Sequence, residues 1–363
     1  MANLVELVKQ TLLYGNLDKR ALDAHVTSVV NQHQLRQQLY GLGLVAFVAN
    51  GSILPRESGA GARSMTGGVV SFKFPKELEL TIKLADGSTI RGMGIARGIT
   101  VITGVGFNGK STLLEALELG VYDHIPGDGR ELVVADPTAV KIRAQDGRIV
   151  TDTDISLFLG SLPGGKDAMC FSTENASGST SMAANIAEAL EVGCKTLLID
   201  ADSSATNLLV RDERMQILIQ HEPTAPLISV ARALYDNHGV STVLVVGGPR
   251  DWLAVADQVI LMDSYVPSLV TKEAREIVRL RASNVVENDV YATNGSRSVA
   301  LRGIGEFDTR KASTTSIPIE TAKRDIVHDS SRAPSEVNLH SIDQLVERGR
   351  AKSVSSWLEH LAN

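Results

Sequence analysis

The chain has 363 residues, a formal net charge of −6, 43% hydrophobic residues and 4% aromatic residues. This composition excludes wholesale disorder and a general polycation, so any nucleic-acid contact must use a local basic patch, and the length allows two or three domains. The longest apolar runs, such as Leu42–Ala49 and Val243–Val246, fall far short of the ~20 residues that span a bilayer, so no membrane partner is expected.

Residues 1–68 read as an N-terminal helical and loop region. Two helical stretches occupy residues 1–40, and Asn31–Leu39 gives a polar-faced helix. The apolar run Leu42–Ala49 follows, then Asn50-Gly51 turn chemistry and a Gly/Ser/Arg-rich loop to Gly68. From residue 69 the period becomes two. Val69–Phe74, Leu78–Leu84 and Ser88–Met93 are expected as strands of a small antiparallel sheet, with Asp86-Gly87 as a hairpin turn. Ile99–Thr103, Thr196–Asp200 and Thr242–Val246 are continuous β-branched or aliphatic runs of the kind covered on both faces in parallel sheets. They alternate with helical segments Ser111–Leu119, Ser181–Val192 and Pro226–Asn237, which argues an α/β core over residues 69–280. Residues 281–363 form a polar extension. Surface strands and loops are expected to about His340, then a capping box at Ser341-Ile342-Asp343-Gln344 opening an amphipathic helix that carries Val354, Trp357, Leu358 and Leu361. Cys170 and Cys194 have no CxxC spacing and are expected to fill core space.

Gly104-Val105-Gly106-Phe107-Asn108-Gly109-Lys110-Ser111 fits G-x-x-x-x-G-K-[ST]. The glycines let the loop curl so that backbone N–H groups face phosphate oxygens. Lys110 brings positive charge to the β- and γ-phosphates, the Ser111 hydroxyl can ligate Mg²⁺, and the following helix points its positive end at the anion. Gly104, Asn108, Gly109, Lys110, Ser111 and Thr112 are therefore the candidate nucleotide-binding residues. Asp200 ends an apolar strand, where a P-loop protein holds its Mg²⁺. ATP or ADP with Mg²⁺ are the expected cofactors. The eight histidines show no ligand spacing on one helix.

Ile199-Asp200-Ala201-Asp202-Ser203-Ser204-Ala205-Thr206-Asn207 resembles the Walker B and D-loop run of ABC ATPases, and Asn175-Ala176-Ser177-Gly178-Ser179-Thr180 stands where those proteins carry their signature. The strands Ser241–Val246 and Val255–Met262 resemble the last strands of that fold. With the segment Leu44–Arg56, these motifs are most similar to the ABC-class ATPases of bacteria, plants and protists, over about residues 30–280. The tail is most like the kinetoplastid mitochondrial member, an accessory ATPase of RNA editing. The resemblance implies a P-loop NTPase with an ABC-ATPase-like core, an antiparallel β layer and helical segments, together with a further region ahead of residue 1. It implies a homodimer in which Ser177, Gly178 and Ser179 close on the partner's nucleotide, beside a D-loop of Ser204, Ala205 and Thr206. It also implies RNA and RNA-editing proteins as partners, and a mitochondrial matrix location, or otherwise a cytoplasmic one.

Two departures bear on chemistry. The ABC pattern has a glutamate directly after the Walker B aspartate, and this chain has Ala201. A methyl group neither accepts a proton nor orients water. The histidine expected after Val243–Val246 is replaced by Gly247-Gly248-Pro249. Lys110, Asp200 and Asp202 are the candidate catalytic residues, with Asp202 expected to point elsewhere than the absent glutamate. Slow hydrolysis is the expectation. Basic residues Arg56, Arg63, Arg91, Arg97, Arg310-Lys311 and Lys323-Arg324 could assemble into a patch for RNA. A small-molecule kinase and an ABC-type DNA-repair ATPase are the competing readings. No compact Arg-rich lid supports the first, and no long heptad array the second.

Overall fold

The computed structural model describes residues 2–58, 63–160, 167–210, 224–247, 251–280, 306–307, 316–320, 336–339, 342–345 and 348–362. Helix α1 spans Ala2–Leu12 and α2 spans Lys19–Gly41, the latter opened by Asp18, whose carboxylate accepts from the Arg20 and Ala21 amides. The polar face of α2 is not a solvated one. Gln32 is fully buried and pairs through both ends of its amide with the backbone of His124, at 2.8 and 2.7 Å. Arg36 binds the carbonyl of Gly120 and the carboxylate of Asp123. The glutamines and arginine of this helix therefore tie down the loop that follows the P-loop helix.

Strand β1 (Leu44–Ala49) pairs antiparallel with β3 (Thr89–Ala96) and β5 (Val133–Ala135), and β2 (Glu79–Lys83) closes the sheet in the order β2-β3-β1-β5. All six residues of β1 are buried, which explains why the run is continuously apolar. The strand lies in the same sheet as β2 and β3, so residue 68 divides one packed unit. Asp86-Gly87 makes the β2–β3 hairpin, with Gly87 in the left-handed region. Val69–Phe74 is a correction to the sequence reading. It forms no strand and is fixed where Phe72 exchanges backbone hydrogen bonds with Gly51 and Ser52. Its alternation reflects the inward side chains of Phe72, which is buried, and Phe74, which packs partly buried against the same core.

The second sheet has the order β12-β11-β4-β10-β9-β6, formed by β4 (Ile99–Thr103), β6 (Ala139–Ile142), β9 (Thr196–Asp200), β10 (Ser241–Val245), β11 (Gln258–Asp263) and β12 (Val266–Leu269). All neighbours are parallel except β12, which returns antiparallel along β11. Alternate residues face opposite cores. In β10, Val243 and Val245 join Leu113, Leu114 and Leu117 of α3 (Lys110–Leu119), between the two sheets. Leu244 joins the far side, where α4 (Gly178–Glu191) and α6 (Leu227–His238) pack. The outer face of the antiparallel sheet is covered by Leu35 and Leu39 of α2. The layers thus run α2, antiparallel sheet, α3, parallel sheet, α4 with α6.

A hairpin of β7 (Arg148–Thr153) and β8 (Phe171–Ala176) leads into α4. Short helices α5 (Thr206–Leu209) and α7 (Trp252–Val255) follow β9 and precede β11, and α8 (Thr271–Leu280) follows β12. Strands β13 (Glu306–Phe307), β14 (Ser316–Glu320) and β15 (Glu336–Asn338) form a small antiparallel sheet, and α9 spans Arg348–Ala362.

The expected capping box is a second correction. Ser341 lies outside the described residues, and Asp343 and Gln344 stand in a turn ahead of α9. There Asp343 pairs with Arg143 at 2.7 Å. The Gln344 amide bonds the Lys141 N–H and the Ala139 carbonyl, so it takes the place of a neighbouring strand along the edge of β6. Trp357 is 68% exposed, so the face proposed for the last helix is not buried at that position. Cys194 is buried as expected, but Cys170 is exposed and fills no core. No described helix is long and apolar enough to cross a membrane.

Candidate nucleotide site

The C-terminal ends of β4, β9, β10 and β11 open onto one cavity of about 730 Å³. Gly104, Asn108 and Lys110 line it from the P-loop, Asp200 and Asp202 from the end of β9, Gly247 from beyond β10, and Met262 and Asp263 from β11. A crevice at the carboxyl ends of parallel strands is where α/β sheets bind ligands. Gly104 has φ +139° and a Cβ there would collide with the Met262 carbonyl, so only glycine lets the loop turn away from β11. Gly109 (φ +86°) caps α3 in the left-handed region. Phe107 has φ +62° and is 99% exposed, which places an uncovered ring at the tip of the loop in a conformation that glycine adopts more easily.

Lys110 Nζ donates to the Val105 carbonyl at 2.9 Å, within the loop. Asn108 donates to the Met262 carbonyl at 3.4 Å and ties the loop to β11. Ser111 and Thr112 occupy the first turn of α3, with Ser111 exposed; neither lines the cavity. The first-turn N–H groups of a helix lack intrahelical partners, so this end of α3 suits an anion.

Asp200 is buried at 9% exposure, and its Oδ1 accepts from the Asp202 N–H at 3.1 Å. Its carbonyl accepts from the hydroxyls of Ser204 at 2.7 Å and Ser203 at 3.2 Å, which folds the start of the D-loop back on the strand end. Asp202 lines the same cavity as Asp200, contrary to the expectation that it points elsewhere, because the chain enters a 3₁₀ turn (Ala201–Ser203) that keeps residue 202 at the rim. Ala201 packs its methyl toward the core beneath α4.

The signature segment stands apart. Ser177 caps α4 by accepting from the Thr180 N–H, and Gly178 begins the helix. Ser179 Oγ donates to Asn207 Oδ1 at 2.7 Å, which couples the signature to the helix α5 that follows Ala205 and opens with Thr206. No residue of α4 lines the P-loop cavity. The sequence reading missed Asp263 and the Tyr265 ring, which lies 3.1 Å from the position a Cβ would take at Gly109. Their only sequence signal is their place just after the apolar run ending at Met262. The Ser179–Asn207 bond was equally unreadable, since its partners lie 28 residues apart.

A family model described as ABC_ATPase, P-loop domain, matches residues 18–297. The chain belongs to the ABC-type P-loop ATPase family. It is 34% identical over 281 residues to the uncharacterized protein MJ1628 of Methanocaldococcus jannaschii; the match covers 72% of this chain and 61% of that protein. The chain thus spans less than two thirds of its curated relative. Among solved structures, cbiO1 of Clostridium perfringens, part of the ABC transporter complex cbiONQ, aligns at 16% identity over 66% of this chain and 96% of its own, with a TM-score of 0.37. The ADP conformation of MJ1267, an ATP-binding cassette of an ABC transporter, aligns at 12% identity over 65% of this chain and 95% of its own, with a TM-score of 0.38. The ABC-type fold places the P-loop, the β9 carboxylate and the end of β11 around one nucleotide cavity, and leaves the Ser177–Ser179 turn outside it.

Proposed function

We propose that this ABC-type ATPase is a nucleotide-controlled homodimer that binds ATP firmly and hydrolyses it slowly. The supporting observation is the separation of the signature from its own cavity. The N-terminus of α4 is a small-residue turn suited to an anion, yet none of it lines the space around Lys110. In a head-to-tail pair, the turn of one chain would close on the γ-phosphate held by the other. ADP lacks that contact, so only ATP would favour the pair.

Gly104, Asn108, Gly109, Lys110, Ser111 and Thr112 would hold the phosphates. The donor set suits Mg²⁺. Among the described residues no cluster of three or more His, Cys, Asp or Glu could cage an ion, whereas Mg²⁺ takes one or two protein oxygens plus phosphate oxygens. Ser111 and Asp200 would supply those oxygens, and the ion would neutralise charge on the phosphates. Asp202, which lines the cavity beside Asp200, would orient water in place of the carboxylate that Ala201 lacks.

RNA as the partner, a place among RNA-editing proteins and a mitochondrial location rest on the sequence resemblance alone. The described arginines do not form one continuous basic face. Arg91 pairs with Glu79 and Arg97 stacks over Tyr40, while Arg310-Lys311 and Lys323-Arg324 lie outside the described residues.

Light scattering with ATP, ADP or no nucleotide, each with Mg²⁺, tests the dimer. ATP-dependent doubling of mass is expected, and a monomer in every state would overturn it. Binding of labelled single-stranded RNA and matched DNA across a salt series tests the partner. Steeply salt-dependent binding that favours RNA and shifts with nucleotide is expected, and equal or absent binding would remove RNA from the proposal.

A further inference from the structure

On the other side of α3 from the P-loop, a second cleft of about 430 Å³ lies between the loop after α3 and the first turn of α9. Arg56 and Arg63 line it from the two arms of a β-bridged loop, and Arg350 from α9. Tyr122, His124 and Asp128 form the wall opposite. The volume falls in the usual range for small-ligand pockets.

The charges here do not balance. Asp128 is shared by Arg56 at 2.7 Å and His124 at 2.7 Å, and Asp123 is engaged by Arg36 at 2.6 Å. Both carboxylates of the lining are therefore spoken for. Among the described residues neither Arg63 nor Arg350 has a carboxylate partner. Arg350 instead lies over the Tyr122 ring, its guanidinium carbon 3.5 Å from the centroid.

Buried nitrogens add a second, independent observation. The Arg56 side chain is only 5% exposed, yet its Nε has no hydrogen-bond partner among the described residues; Nη1 of Arg350 is also buried and unpartnered. An orphaned buried N–H on a charged group is costly, so two on arginines that line one cleft are expensive unless a ligand satisfies them. Two uncompensated guanidinium charges match a dianion, and the forked donors of arginine match phosphate oxygens better than a point charge does.

We propose that the Arg56–Arg63–Arg350 cleft is a second anion site, distinct from the P-loop, that binds the phosphate dianion of a small phosphomonoester or of free phosphate. Because Arg350 belongs to α9, the ligand would also fasten the C-terminal helix against the loop after α3.

The test is calorimetric titration of the full chain with ribose 5-phosphate, inorganic phosphate and acetate. Three proteins are compared: the parent, Lys110→Ala, and the double variant Arg63→Ala/Arg350→Gln. Arg63→Ala alone, at an exposed position, serves if the double variant melts early. Saturable binding of a phosphate compound is expected in the parent and in Lys110→Ala, weakened at least about tenfold when the arginines are changed. Tighter binding of ribose 5-phosphate assigns the phosphomonoester, and equal binding assigns free phosphate. Loss in Lys110→Ala with retention in the arginine variants would overturn the proposal, because the signal would then be the P-loop's. Acetate binding as well as phosphate would overturn it too.

Discussion

Ala201 follows Asp200 on a strand end whose carboxylate is buried and hydrogen-bonded, so the backbone there is well fixed. A glutamate at 201 would restore the residue type that the ABC pattern places directly after the Walker B aspartate. Ala201→Glu is expected to raise ATP turnover at least about tenfold, worth roughly 1.4 kcal/mol of barrier, in a phosphate-release assay. Unchanged turnover would mean that residue 201 is not where the base is missing; Asp202, already on the cavity rim, would then be the group to replace with Asn. The P-loop was legible as a motif because its spacing encodes backbone geometry; of its candidate residues Gly104, Asn108 and Lys110 line the cavity, and Gly109, Ser111 and Thr112 do not. The position of Asp202 was not legible, because a 3₁₀ turn after a strand breaks the alternation that predicts which way a side chain faces.

At the scale of elements, β6 ends the parallel sheet and would leave its N–H and C=O groups unpaired along one edge. Gln344 meets this need with two hydrogen bonds, to Lys141 N and Ala139 O, and adds a third to Glu118 O at the end of α3. Gln344→Ala is expected to cost about 1–3 kcal/mol in denaturant unfolding and to speed hydrogen exchange at the Lys141 amide. An unaltered Lys141 exchange rate would show that the edge is covered some other way. Beside it, burial pushes the Glu118 carboxyl up to about 7, against the pull of Lys141 3.3 Å away. A folded-state value above the unfolded one means that the native state holds the proton longer. Stability should therefore fall as pH rises from about 4.5 to about 7 and level off above, by on the order of 3 kcal/mol in total. Urea unfolding between pH 4.5 and 8 checks the slope, and Glu118→Gln should flatten it. The expected capping box at residues 341–344 failed because local spacing cannot tell a helix start from a turn held by distant strands.

For the whole molecule, the two sheets and their helices bring one nucleotide cavity to one end of the parallel sheet, while the Ser177–Ser179 turn stands outside that cavity. If the composite site forms between chains, two defective chains can complement each other. Lys110→Ala lacks the P-loop cation and Ser179→Arg blocks the signature. Each alone should fail to dimerise with ATP, whereas an equal mixture should form a heterodimer with one intact site. Light scattering of the mixture reads this directly, and a mixture that stays monomeric would speak against contact in trans.

The sequence by itself determined the P-loop, the run of parallel strands and the carboxylate at the end of β9, because phosphate binding and two-sided burial each impose a local pattern of residue types. It also carried the family, through motifs that are each short and contiguous along the chain. Only the tertiary structure decided that the polar face of α2 is buried against the loop after α3, that Val69–Phe74 is a plug and not a strand, and that Gln344 completes a sheet edge. These depend on partners dozens to hundreds of residues away, as in the 203-residue separation of Gln344 from Lys141. A polar side chain looks the same in sequence whether water or a distant backbone satisfies it, and folding alone makes the distinction.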